Sequence, residues 1–153
     1  MEGREPKLDN DLFFVCAVIE QIGRTTTNRR ADVVRAIGEK KLSHLFELAD
    51  VYHCEPVENT ANDLIENHNI TKSDFDNVSN CKYKVPYFMD IARVYMRLIV
   101  DVMKQNDTSP IDALIAVYSS WISGKIDDYN SSMYFENQQY LYESYIAGEP
   151  LRE

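Results

Sequence analysis

From Leu12 onward, apolar residues recur three and four positions apart. Leu12, Phe13, Val15, Cys16, Ile19 and Ile22 predict a helix with a wide buried stripe. Asp9, Asn10 and Asp11 offer caps before it, and Gly23 stands where a helix stops. Residues 1–8 are charged and contain Pro6, so they are expected to fray. A polar connection with three consecutive threonines follows. Asn28 then caps a short helix over 29–37 that places Val33, Val34 and Ile37 on one face, with Gly38 as its stop. A third helix begins at Glu39 and aligns Leu42, Leu45, Phe46, Ala49 and Tyr52. Pro56 suits the first turn of a fourth, burying Val57, Ala61, Leu64 and Ile65 and ending near Asn67–Asn69.

The helical period is lost over 70–86, which reads as loop with a short extended piece near 82–86. It returns at Tyr87. From Met89 to Met103 the apolar positions cover almost the full circumference, the mark of a central helix. Ser109, Pro110 and Asp112 form an N-cap, a first-turn proline and an acidic third position. The helix they open runs through Ile111, Leu114, Tyr118, Trp121 and Ile122 and is expected to continue past Gly124 to Tyr129. A last helix covers 136–147, with Gly148 and Pro150 beyond it. The pattern predicts an all-α bundle of six or seven helices. It forms a single domain over 1–153, in which 9–69 and 87–148 are candidate helical subdomains.

Composition sharpens this reading. The 153 residues are 44% apolar, with 5 Gly and 5 Pro, so neither disorder nor a disulfide scaffold fits. Sixteen Lys and Arg face 25 Asp and Glu, for a net charge of -9, which disfavours general binding to nucleic acid or anionic membranes. No apolar run approaches the roughly 18 residues of a membrane helix. The stretch 12–19 follows acidic residues rather than the positive charge of a secretory leader. Cys16, Cys54 and Cys81 are odd in number and contain no C-x-x-C pair, as expected of free thiols in a reducing compartment. The expected location is the cytoplasm.

No motif nominates a catalytic residue, a metal or a cofactor. Structural zinc ligands are usually paired two to four residues apart, whereas His53 and Cys54 are adjacent. Ser119, Ser120 and Ser123 lie in no nucleophile elbow. No glycine-rich phosphate loop occurs. Two features stand out. Residues 24–41 hold six basic side chains against Asp32 and Glu39, a local net of +4, which leaves -13 on the rest of the chain. Arg29, Arg30, Arg35, Lys40 and Lys41 are the candidate contacts if this helix–Gly38–helix segment binds DNA as a regulator. The second feature is aromatic. Tyr118, Trp121, Tyr129, Tyr134, Phe135, Tyr140, Tyr142 and Tyr145 fall within 28 residues. Residues two apart lie about 200° around a helix, so Tyr140, Tyr142 and Tyr145 cannot share one face. Tyr and Trp are enriched at interface cores. Asp127, Asp128, Tyr129, Tyr134, Tyr140 and Tyr142 are therefore the candidate partner-binding surface.

The first half resembles a family of short bacterial proteins of unknown function, common in gut Firmicutes. The residues that carry the resemblance are Phe13–Phe14, Ile19–Glu20, Leu45, Asp50–Val51–Tyr52–His53 and Asp63–Leu64, within 10–70. The block Cys54–Glu55–Pro56 departs from the family's pattern. Members are often encoded beside proteins resembling ADP-ribosyltransferases. The resemblance implies an antitoxin-like or accessory binding role with such a protein as partner, and it implies no catalytic residues. The leading expectation is a non-catalytic interaction protein that occludes its partner with an acidic, aromatic surface. The alternatives are a DNA-binding regulator and a small-molecule enzyme with a pocket near His53. The sequence does not fix the oligomeric state; a homodimer is the commonest outcome for an oligomer.

Overall fold

Two long helices, α1 (Lys7–Thr26) and α6 (Phe88–Asn106), pack along each other in a computed structural model that describes residues 7–151. Leu12, Val15, Ile19 and Ile22 of α1 and Ile91, Leu98 and Ile99 of α6 are buried in the same core cluster. The remaining helices are α2 (Arg30–Ile37), α3 (Glu39–Glu47), α4 (Ala49–Tyr52), α5 (Val57–Asn67), α7 (Pro110–Tyr118), α8 (Trp121–Ile126) and α9 (Gln138–Ala147). A 3-10 turn, Met133–Phe135, precedes α9. Helices α2 to α5 lean on α1, while α7 and α9 lean on α6. One core therefore draws on both halves of the chain. The fold is all-α, and the described residues include no strand; 82–86 is irregular rather than extended. Among the same residues, no helix is long and apolar enough to cross a membrane.

Among the described residues there are nine helices instead of six or seven, because two expected helices are each broken once. The third breaks at Leu48 and resumes as α4. The helix from Pro110 breaks at Ser119–Ser120, where the Ser120 hydroxyl donates to the Val117 carbonyl at 2.7 Å. Serine competes with the backbone ladder in this way, and α8 must start afresh from Ser120. The Ser109 cap forms as its sequence predicts, with the Asp112 N–H donating to Ser109 Oγ at 3.2 Å. Asn137 caps α9 in the same manner, from the Tyr140 N–H at 2.8 Å. The expected caps at Asp9–Asp11 lie inside α1, which begins at Lys7. Of the stretch expected to fray, 1–6 lies outside the described residues.

Gly23 does not end α1. The helix continues to Thr26, and a methyl group at position 23 would collide with Cδ, Nε and Nη1 of Arg30. The glycine is there for close approach, not as a stop. The three threonines also gain a purpose. Ser73 and Phe75 donate their N–H groups to the carbonyls of Thr26 and Thr27 at 3.0 and 2.9 Å, and Thr27 Oγ1 donates to the Ser73 carbonyl at 2.6 Å. This ties loop 70–86 along the α1–α2 connection.

Candidate functional site

A buried polar network lies where α1, α2, α6, α8 and loop 70–86 converge. Its centre is Arg30, whose side chain is 0% exposed. Nε and Nη2 of Arg30 donate to the two oxygens of Glu20, each at 3.0 Å. Nη1 donates to the Asn28 carbonyl at 2.8 Å, and Nη2 also reaches Asn77 Oδ1 at 3.1 Å. Arg24 donates from Nε to Glu20 at 2.8 Å and from Nη2 to the Pro86 carbonyl at 2.7 Å. The Tyr129 hydroxyl donates to Glu20 Oε2. A second arm begins at Asp127, which accepts from the Tyr95 hydroxyl at 2.6 Å. Ser123 Oγ lies 2.8 Å from that hydroxyl, and the Asn77 amide donates to the Asp127 carbonyl at 2.9 Å.

The two buried carboxyls differ in charge state because their partners differ. Burial alone would push Glu20 up, but the guanidiniums of Arg30 and Arg24 outweigh it and hold Glu20 below its ordinary range. Asp127 has hydroxyl partners instead. Burial, reinforced by the charge of Glu20, outweighs Arg30 and pushes Asp127 up to about 7. Burial, then Glu20, raises the Tyr129 phenol above its usual range. Burial likewise pushes the Cys16 thiol up to about 12, so it is inert at neutral pH.

Above this network lies an exposed face. Asn130 clamps its two loops together: Oδ1 accepts from the Lys82 N–H at 2.7 Å, and Nδ2 donates to the Asn80 carbonyl at 3.1 Å. Tyr134 packs edge-on against Tyr129 at 5.8 Å, and Phe135 against Tyr134 at 5.0 Å. Phe135 and Tyr83 are each 68% exposed and Tyr87 is 60% exposed. A cleft of about 150 Å³ is lined by Asp74, Phe75, Asp76, Asn77, Asp127 and Asp128, among others. Phe75 is covered on one side by the Arg29 guanidinium, 4.6 Å from the ring centre.

The structure therefore divides both candidate sets. Asp127 and Tyr129, expected on the partner-binding surface, are interior residues, each 2% exposed. Asp128 is exposed, Tyr134 half-buried against Tyr129, and Tyr142 half-buried. Tyr140 is also half-buried and donates its hydroxyl to the Leu151 carbonyl at 3.0 Å. In the basic set, Arg30 is interior and cannot reach a phosphate, and Arg35 pairs with Asp32 at 2.5 Å. Arg29 sits on Phe75, and Lys40 and Lys41 line a groove with His44 and His68.

His53 is exposed at the edge of a hollow of about 350 Å³ whose other lining residues are Asn10, Phe13, Phe14, Ala17, Val57 and Met89. Apart from His53, that lining carries no titratable group. Among the described residues, no group of three or more His, Cys, Asp or Glu side chains could hold a metal ion.

The sequence pattern marks none of Glu20, Asn77, Tyr95 and Asn130 as a site residue. Glu20 left a readable trace. It lies four residues after Cys16 and three before Gly23, on the buried stripe, where a carboxylate must find a cation. The chain matches no family model, no curated protein and no solved structure.

Proposed function

We propose that this chain is a non-catalytic protein-interaction module whose contact face is built from loops 74–87 and 128–135. One observation carries the reading: three large aromatic side chains, Tyr83, Tyr87 and Phe135, stand more than half exposed on loops that are clamped together and anchored to a buried ion-pair network. Recognition residues are commonly carried on loops held by a rigid scaffold. Aromatic anchors dominate interface energies, and loops ordered in advance lose little entropy on docking. Asp74, Asp76 and Asp128 line the cleft between the same two loops, and the whole chain carries -9, so the complementary partner presents a basic surface. The resemblance over 10–70 supports an ADP-ribosyltransferase-like enzyme as that partner, neutralised by occlusion in the cytoplasm as an antitoxin would do it.

The test is binding to a purified ADP-ribosyltransferase-like protein encoded beside the gene. Replacing both Tyr83 and Phe135 by Ala is expected to weaken binding at least 30-fold, since an anchor residue is worth about 2 kcal/mol or more. Ile146→Ala, an exposed apolar residue on α9, is expected to change it less than twofold. Affinity is also expected to fall as salt rises. Equal affinities for the wild type and the double variant would overturn the assignment of the face.

A further inference from the structure

Lys7, Arg24, Arg35 and Arg93 each pair with a carboxylate three or four positions away on the same helix. Lys40 and Lys41 depart from that pattern. Helix α3 places no acid three or four positions from either of them, and among the described residues neither has a carboxylate partner. This is unexpected in a chain with 25 Asp and Glu against 16 Lys and Arg. The two lysines open onto a groove of about 640 Å³, within the size range of small-molecule sites. Ser43 and His44 of α3 line it with them, and so does His68, the residue that ends α5. Glu47 is the one acid in its lining. The Tyr52 ring supports the site from α4: the Lys41 ammonium lies 5.9 Å from its centre, and the His44 ring meets it edge-on at 6.2 Å.

We propose that this groove binds a phosphorylated small molecule, held through its phosphate groups by Lys40, Lys41, Ser43, His44 and His68. Each of these side chains can donate a hydrogen bond: an ammonium offers three, a hydroxyl one, and an imidazole at least one in either charge state. Lysine binds phosphate as a point charge, and a phosphate ester carries about −1.5 to −2 at neutral pH, so one or two phosphates match the two lysines. The charge around the groove favours a small ligand. Outside 24–41 the chain carries -13, so a nucleic acid lying across the molecule would meet repulsion on either side. A small anion stays inside the groove, and at physiological salt the exposed charges more than about 8 Å away are largely screened from it. Glu47 opposes the ligand from within and lowers its affinity. None of these residues belongs to the contact face on loops 74–87 and 128–135.

Calorimetric titration of the full chain with sodium tripolyphosphate at physiological salt tests the site, with backbone amide shifts followed by NMR. One saturable event is expected, with a Kd of about 1 mM or tighter and the largest shifts in α3 and at His68. Replacing Lys40 and Lys41 together by Ala is expected to weaken binding about tenfold or more. Glu47→Gln, which keeps the shape of an exposed side chain and removes its charge, is expected to tighten binding about threefold. This gain keeps the test decisive if the double-lysine variant does not fold. Lys125→Ala, at an exposed lysine on α8, is expected to change affinity less than about twofold. No saturation by about 10 mM, equal affinity in the wild type and the double-lysine variant, or no tightening by Glu47→Gln would overturn the site. Tighter binding of a duplex oligonucleotide through the same residues would overturn the assignment to a small molecule.

Discussion

Arg30→Ala is expected to remove about 3–5 kcal/mol of stability, a large part of the 5–15 kcal/mol typical of a domain. The loss comes less from the missing attraction than from what is left behind. Glu20 would remain buried at the centre of the molecule, with the partly exposed Arg24 as its remaining guanidinium. The Asn28 carbonyl and Asn77 Oδ1 would each lose a donor. Denaturant unfolding by circular dichroism measures this directly. The companion double variant Glu20→Gln, Arg30→Met removes both charges and is expected to be more stable than Arg30→Ala alone, because replacing a buried pair by matched apolar volume is often neutral. A cost below 1 kcal/mol for Arg30→Ala would mean that the network is not what holds α2 to α1.

Gly23→Ala should produce the second-largest effect, with a sign opposite to the helix rule. In an exposed helix, alanine in place of glycine gains about 0.5–1 kcal/mol. Here the added methyl falls on the Arg30 side chain, which is enclosed and bonded at both ends of its guanidinium. Admitting it displaces the ion pair with Glu20, so a net loss of about 2–4 kcal/mol is expected, within the range for breaking a buried pair after the helix gain is subtracted. The coupling is diagnostic. In an Arg30→Ala background the obstruction is gone, and the same Gly23→Ala change is expected to stabilise by roughly the helix gain. A double-mutant cycle with no change of sign would show that the close approach carries no energy.

These two residues also show what could be read from the sequence. The regular helices were legible because burial imposes a three-and-four spacing on them. That spacing located α1, α2, α5, α6 and α9 to within a few residues and set the fold class. It failed where side chains compete with the backbone, as Ser120 does, and where a glycine serves a tertiary contact rather than a helix end, as Gly23 does. The candidate face was half legible. Residue type brought attention to Asp128 and Phe135, but nothing local distinguishes the exposed Phe135 from the buried Tyr129 a few residues earlier. Arg30 looked like a surface cation because a charge is ordinarily solvated. Its burial depends on Glu20, Asn77 and Tyr129, which lie 10, 47 and 99 residues away. A pairing over such distances leaves no periodic mark.

The Asn130 clamp bears on the order in which the molecule is put together. It joins segments 50 residues apart, and the Thr27–Ser73 tie spans 46. Such closures cost chain entropy before they return any contact, so they form only after α1 and α6 have brought the two halves of the chain together. Loop 70–86 contributes few large apolar side chains to the core, and much of its anchorage is by hydrogen bonds at its edges. It is therefore expected to be completed late in folding and released early under stress, which hydrogen exchange along 70–86 would show. Tyr83, Tyr87 and Phe135 stand on segments that these closures hold, so their display is expected to depend on the two halves of the chain having docked.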